Sequence, residues 1–129
     1  MKGKCLCGAV TITSSQLNEV AACHCGMCRR WGSGPFMTLH GGPDVKVEGA
    51  VRAYRSSDWA ERVFCPECGT HLYYHLLPVN DHILSAGLFD ADGAFLFKRQ
   101  IFIDKKPEHY AFANDTEKLT EAQVFAQLS

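Results

Sequence analysis

The placement of the cysteines constrains this chain more than any other feature, since all seven fall into three short clusters. The clusters are Cys5-Leu6-Cys7, Cys23-His24-Cys25-Gly26-Met27-Cys28 and Cys65-Pro66-Glu67-Cys68. An odd number of cysteines excludes complete pairing in disulfides within the chain. Short clusters at these spacings are typical of metal sites or of catalytic thiols.

The start of the chain and its hydropathy pattern indicate a compartment. Residues 1–5 carry positive charge, but no apolar run of the signal-peptide kind follows them. No stretch approaches the roughly 18 apolar residues that a membrane-spanning helix needs. We therefore expect a cytoplasmic protein, in which cysteines stay reduced and clustered thiols are available to a metal ion.

The first and last clusters predict a closed structural zinc site. In a strand, residues i and i+2 point to the same face, so Cys5 and Cys7 would converge on one ion. The turn from Cys65 to Cys68 ends in Gly69, which tolerates the positive φ that such a turn often needs. Four thiolates complete the tetrahedron of a structural zinc ion. The alternative is two unrelated pairs of buried cysteines.

The middle cluster predicts a different kind of site. Cys23, Cys25 and Cys28 supply three thiolates, and a catalytic zinc ion keeps its fourth position for water or substrate. We expect these three cysteines to be catalytic ligands of a second zinc ion. The alternative is a site closed by a histidine, although His24 points away from Cys23 and Cys25 if the segment is extended. The other candidates are His40, His71, His75, His82 and His109.

Four residues that follow the middle cluster are candidates for substrate binding. Arg29 or Arg30 would hold a substrate carboxylate through two parallel hydrogen bonds. Trp31 or Phe36 would form the wall of a pocket. The alternative is that the arginines are solvated and the aromatic rings belong to the core.

The remaining pattern predicts a mainly β fold. The 129 residues suit a single domain, and 47% hydrophobic residues suffice for a core without disulfides. Residues 120–128 predict a C-terminal helix docked on a sheet, because Thr120 and Gln123 form a capping box ahead of apolar Val124 and Phe125. Short alternating runs predict strands at residues 9–13, 35–40, 45–48, 51–54, 62–65, 71–77, 83–87 and 100–103, with 45–48 and 51–54 as a hairpin.

The charge balance argues against two classes of partner. Charged residues make up 21% of the chain and the formal net charge is −1. A nucleic-acid-binding domain is usually strongly basic, and attachment to an anionic membrane needs a polybasic segment. We expect neither a nucleic acid nor a membrane as partner.

The three clusters together resemble the glutathione-dependent formaldehyde-activating enzyme family. The resemblance lies in residues 3–10, residues 23–30 with Gly34 and Phe36, residues 62–70, and Ile101-Phe102-Ile103 with Lys106-Pro107. It covers residues 3–112, with residues 113–129 as a helical tail of the same domain. One departure is that members often carry a tryptophan shortly after the Lys-Pro step, where this chain has Glu108, His109 and Tyr110.

The resemblance implies an Mss4-like β-tent of twisted antiparallel sheets. It also implies two zinc ions in each chain. The structural ion would lie on Cys5, Cys7, Cys65 and Cys68, and the exchangeable ion on Cys23, Cys25 and Cys28.

The leading functional hypothesis is a zinc-dependent carbon–sulfur lyase or synthase that acts on glutathione adducts. S-hydroxymethylglutathione, formed from glutathione and formaldehyde, is the adduct that the resemblance implies. Two hypotheses from other classes compete with it. One is a non-catalytic zinc-binding module for a protein partner, and the other is a sensor of zinc or of thiol oxidation.

Overall fold

The computed structural model describes residues 1–90 and 94–128. The chain divides into two compact units, one made of Met1–Asn18 and Leu39–Phe95, the other of Glu19–Thr38 and Leu96–Ser129. The end of the predicted tail, Ser129, lies outside the described residues. That residues 3–129 form a single domain stays a prediction. Within the described ranges, no helix has both the length and the apolar character needed to cross a membrane.

Strands make up most of the regular secondary structure, which confirms the mainly β class. They are β1 Lys2–Lys4, β2 Thr11–Thr13, β3 Glu19–Cys23, β4 Phe36–Gly42, β5 Lys46–Glu48, β6 Arg52–Arg55, β7 Ala60–Phe64, β8 His71–Leu76, β9 Asp81–Ser85, β10 Leu96–Ile101 and β11 Glu117–Leu119. The helices are α1 Gly26–Gly32 and α2 Glu121–Leu128, with short 3-10 turns at Leu77–Val79, Ala86–Leu88 and Ile103–Lys105. Each predicted strand overlaps an observed one, whereas β3, α1 and β11 were not predicted.

The first unit contains two sheets. One is a three-stranded antiparallel sheet in the order β1-β2-β5. In the other, β6, β7, β8 and β9 form an antiparallel meander, and β4 lies beside β9. The core consists of fully buried aliphatic side chains, among them Val10, Ile12, Leu39, Leu72 and Leu84. Burial alternates along β2 and β9, whereas β4 and β8 each bury two consecutive residues.

The predicted hairpin between residues 45–48 and 51–54 is wrong. Strand β5 pairs with β2, in a register that places Val47 opposite Ile12, whereas β6 pairs with β7 in the other sheet. Gly49 marks the divergence, with φ at +105° and a position where a Cβ atom would overlap the carbonyl oxygen of Ala9. The chain therefore passes against the residues that precede β2 instead of turning back on itself.

The second unit is built around β10, which pairs in parallel with β3 on one side and with β11 on the other. Ile101 lies opposite Cys23 of β3 and opposite Leu119 of β11. This parallel pairing differs from the antiparallel sheets that the resemblance implies. Parallel neighbours need a long connection, so a local pattern of alternation does not reveal them.

Helix α2 has the predicted capping box. The amide of Gln123 donates to Thr120 Oγ1 at 3.2 Å, and the amide of Thr120 donates to Gln123 Oε1 at 2.8 Å. The ring of Phe125 contacts the ring of Phe102 at a centroid distance of 6.0 Å but remains 50% exposed. The predicted apolar face is therefore only partly covered.

Candidate metal centres

The first unit brings four thiols together with the spacing of a zinc tetrahedron. The Sγ atoms of Cys5 and Cys7 are 3.7 Å apart, and those of Cys7 and Cys65 are 3.8 Å apart. All four Sγ atoms, including that of Cys68, lie within 4.8 Å of one another. Zn–S bonds of about 2.3 Å in a tetrahedron separate the sulfurs by about 3.8 Å. The four cysteines therefore have the geometry of a site in which four thiolates bind one zinc ion.

Two glycine-containing turns create this arrangement. The amide of Gly8 donates to the carbonyl of Cys5 at 3.1 Å, and the amide of Gly69 donates to the carbonyl of Cys65 at 2.8 Å. Gly8 and Gly69 have φ values of +80° and +77°, which favour glycine. Cys5 and Cys7 thus lie in a turn after β1, so the prediction that they share one face of a strand is wrong although their sulfurs do converge.

Thr70 is not one of the four cysteines of the first group, but its hydroxyl contacts one of them. Its hydroxyl oxygen accepts the Leu6 amide at 3.0 Å and lies 3.1 Å from Cys68 Sγ, so the hydroxyl proton is directed at that sulfur. This hydrogen bond, together with those from the backbone amides of Thr70 and Cys7, lowers the pKa of Cys68 to about 5. Although a hydrogen bond from the Ala9 amide lowers the pKa of Cys7, desolvation and the neighbouring thiols raise it to about 12.

The second unit brings Cys23, Cys25 and Cys28 together, with their Sγ atoms within 4.8 Å of one another. Cys23 ends β3, Cys25 is the N-cap of α1, and Cys28 lies in the first turn of that helix. The amide of Cys28 donates to Cys25 Sγ at 3.3 Å. One turn of helix thus accounts for the spacing of the last two cysteines. Hydrogen bonds to Cys25 and Cys28, together with burial, raise the pKa of Cys23 strongly.

His24 lies between two of these cysteines but faces the interior of the unit. Its side chain is 0% exposed, with Nδ1 2.8 Å from the hydroxyl of Tyr110 and Nε2 2.8 Å from Gln100 Oε1. Burial lowers the pKa of His24, although the hydrogen bond to Gln100 opposes this shift. Both ring nitrogens are occupied, so the expectation that His24 points away from the thiols is confirmed.

The other histidines have different surroundings. His40 pairs with Asp81 at 2.6 Å, His75 with Asn80 at 2.7 Å, and His82 Nδ1 lies 2.7 Å from the carbonyl of Gly42. The ring of His109 packs edge-on against Tyr110. In the part of the chain that the structure describes, no histidine or carboxylate joins the three thiols of the second group.

Three of the candidate substrate-binding residues, Arg29, Arg30 and Trp31, lie in α1, and Phe36 begins β4. Arg29 Nε donates to the carbonyl of His24 at 2.9 Å, whereas Arg30 is exposed. Trp31 and Phe36 pack edge to face, with ring centroids 5.4 Å apart. Arg29 is therefore hydrogen-bonded to the backbone of the cysteine segment, and the rings of Trp31 and Phe36 contact each other.

Sequence reasoning missed three residues that bear on the two groups: Thr70, Gln100 and Tyr110. A hydroxyl directly after a Cys-x-x-Cys-Gly turn was a usable signal for Thr70. Tyr110 had been identified only as a departure from the family pattern. Gln100 carried no local signal, because a glutamine in a strand is normally exposed.

Comparisons with known proteins show which family the chain is similar to. An uncharacterized lyase of Schizosaccharomyces pombe is 37% identical over 131 residues, covering 98% of this chain and 96% of that protein. The crystal structure of a Rhodobacter sphaeroides protein superposes with a TM-score of 0.60 at 27% identity, covering 70% of this chain and 88% of that one. The family model described as glutathione-dependent formaldehyde-activating enzyme matches residues 1–105. The chain therefore belongs to the glutathione-dependent formaldehyde-activating enzyme family.

Proposed function

We propose that the chain is a zinc-dependent carbon–sulfur lyase or synthase that acts on glutathione adducts, such as S-hydroxymethylglutathione formed from formaldehyde. The observation that carries this proposal is the group of three thiols in the second unit. Three protein ligands are the usual number in a catalytic zinc site, whereas four are usual in a structural one. Family membership and the lyase-named relative support the same reaction class.

The two thiol groups have separate roles in this proposal. Cys5, Cys7, Cys65 and Cys68 hold a structural zinc ion. Cys23, Cys25 and Cys28 hold the ion that takes part in the reaction. A zinc ion bound there supplies Lewis acidity, which lowers the pKa of a substrate thiol and stabilises its thiolate. The cytoplasm, where thiols remain reduced, suits both groups.

The residues around α1 would bind the rest of the substrate. Arg29 or Arg30 would orient a carboxylate of glutathione through paired hydrogen bonds. Of the two, Arg29 is the better candidate, because its bond to the carbonyl of His24 fixes it beside the cysteine segment. Trp31 and Phe36, already in contact with each other, would form one wall of the substrate site.

The reaction balances without a redox partner. In synthesis, the sulfur of glutathione forms a bond to the carbonyl carbon of formaldehyde, and the carbonyl oxygen takes up the proton that the thiol has lost. In cleavage, the hydroxyl of the adduct loses its proton, the carbonyl re-forms, and the electron pair of the C–S bond returns to sulfur.

The proposal is tested by offering purified, zinc-loaded protein formaldehyde and a panel of glutathione conjugates, and by measuring exchange of the adduct by NMR. We expect two zinc ions per chain, one of which a chelator removes readily. Cys28→Ser should lose that ion, keep the other, and slow exchange by about 100-fold or more. Met27→Leu, a change in the same helix at a 49% exposed side chain, is the matched control and should behave as the unsubstituted chain does.

Other outcomes would favour the competing hypotheses. One tightly held zinc ion that survives Cys28→Ser would exclude the three-thiol site. Reversible release of zinc on mild oxidation, with no turnover of any adduct, would indicate a sensor. Two ions that resist both chelator and oxidation, again without turnover, would indicate a binding module.

A further inference from the structure

In the interior of the second unit, two buried polar side chains are hydrogen-bonded to each other. His24 is 0% exposed and Gln100 is 1% exposed. Burying such groups costs free energy unless hydrogen bonds replace those made with water. Both side chains have partners, so the unit contains a closed polar network where an apolar core would ordinarily lie.

The direction of each bond in this network follows from its neighbours. Gln100 Nε2 donates to Thr116 Oγ1 at 2.9 Å, which leaves Gln100 Oε1 to accept from His24 Nε2–H. His24 is then protonated on Nε2 and accepts the hydroxyl proton of Tyr110 at Nδ1. The chain of bonds runs from Tyr110 through His24 and Gln100 to Thr116.

The backbone of His24 is fixed as well. Its amide donates to the carbonyl of Ile101 at 3.1 Å, and its carbonyl accepts Arg29 Nε at 2.9 Å. All four polar atoms of the residue between Cys23 and Cys25 are therefore engaged. A change in the backbone dihedrals of His24 would alter the distance between the sulfurs of Cys23 and Cys25. The same change would break several of these hydrogen bonds at once.

Tyr110 is held in place by its own segment. Lys106 Nζ donates to the carbonyl of Tyr110 at 2.5 Å and to that of Pro107 at 2.9 Å. The rings of Tyr110 and Phe112 also contact the imidazole of His24, at centroid distances of 5.5 and 5.9 Å. The segment after β10 thus contacts the imidazole through its aromatic rings and at the nitrogen that Gln100 does not occupy.

We propose that His24, Gln100 and Tyr110 are positioning residues for the second zinc site: their buried hydrogen bonds hold Cys23 and Cys25 in the ligating arrangement before the ion binds. The inference rests on the proposed function insofar as it assumes that Cys23, Cys25 and Cys28 bind zinc. Cysteines that are already held in the ligating arrangement bind zinc more tightly, because less conformational entropy is lost when the ion binds. Hydrogen bonds are directional, so they fix the orientation of the His24 ring and backbone, which apolar packing alone would not do.

The test measures zinc binding in the absence of substrate. Tyr110→Phe removes one bond to His24, and Gln100→Leu removes the other. Zinc retention against a graded chelator should show the second ion bound about tenfold more weakly or worse in each variant. The first ion should be retained as in the unsubstituted chain. Tyr54→Phe, at a 66% exposed tyrosine of the first unit, is the matched control and should change neither ion.

Cobalt substitution gives a readout that loss of stability alone would not produce. With Co²⁺ in the second site, the absorption bands of Tyr110→Phe should shift because the thiolates are no longer held in one geometry. Unchanged bands with unchanged zinc retention would overturn the inference. Parallel loss of both ions would also overturn it, because it would mean that the network serves only general stability. If Gln100→Leu fails to fold, Tyr110→Phe alone decides between these results.

Failure of this inference is distinguishable from failure of the proposed function. If Cys28→Ser removes no ion, the second site itself is wrong. If Cys28→Ser removes the second ion while Tyr110→Phe retains it at full affinity, only the positioning role is excluded.

Discussion

At the scale of single residues, the chemistry of both thiol groups depends on side chains that are not ligands. In the first unit, the hydroxyl of Thr70 directs its proton at Cys68 Sγ while its oxygen accepts the Leu6 amide. In the second, both nitrogens of the His24 imidazole bond to Tyr110 and Gln100, so the imidazole does not contact the thiols as a ligand. Such outer partners orient metal ligands and tune their affinity.

Thr70→Val tests this role at the first group. Loss of the hydroxyl should raise the pKa of Cys68 from about 5 towards its ordinary value. Zinc binds the thiolate form of a cysteine, and a lower pKa keeps Cys68 in that form down to a lower pH. The unsubstituted chain should therefore hold its first zinc ion until the pH falls far enough to protonate the thiolates. The variant should therefore release its first zinc ion at higher pH, measured with a colorimetric zinc indicator. Thr70→Ser, which keeps the hydroxyl, should restore the original release curve, and coincident curves for all three proteins would exclude the role.

At the scale of elements, short turns decide where each cysteine lies. Helix α1 begins directly after Cys25, so that one helical turn brings Cys28 back to the sulfur that caps it. The parallel pairing of β10 with β3 sets Ile101 opposite Cys23, which brings the segment after β10 to the cysteine segment. Gly49 has a comparable role in the first unit, since it separates the two strands of the hairpin that alternation had predicted.

Gly49→Ala should destabilise the protein by about 2–4 kcal/mol, because a Cβ atom adds left-handed backbone strain and overlaps the carbonyl of Ala9. The free energy of unfolding, from denaturant titration monitored by circular dichroism, provides the measurement. Gly87→Ala is the matched control, because a Cβ there meets no atom within 4 Å among the described residues. Equal losses in the two variants would show that Gly49 is not specifically required.

At the scale of the whole molecule, the two thiol groups lie in different units of the chain and differ in their thiol chemistry. The first combines a Cys68 pKa of about 5 with a Cys7 pKa of about 12. In the second, neighbouring thiols and burial raise the pKa of Cys23 strongly. A thiol must lose its proton to bind zinc, so the affinity of each group depends on pH.

The second group should bind zinc more weakly as pH falls. The raised pKa keeps Cys23 protonated near neutral pH in the metal-free chain, so zinc must displace at least that proton. Each displaced proton changes the affinity about tenfold per pH unit. Chelator competition between about pH 6 and 8 measures this slope, with proton release into weak buffer as an independent check. Affinity that does not change with pH would contradict the expected protonation of the group.

The amino-acid sequence by itself determined how the cysteines are grouped, where the predicted strands lie, and how α2 begins. These features are local, because Cys-x-x-Cys spacing, alternation and the Thr120–Gln123 capping box each involve residues only a few positions apart. Only the tertiary structure decided that His24 is a buried partner of Gln100 and Tyr110, which lie 76 and 86 positions away. It likewise decided that β5 and β6 belong to different sheets and that β10 pairs in parallel. The physical reason is that a hydrogen bond or a strand pairing between distant segments depends on the path of the whole chain, and no local spacing encodes it.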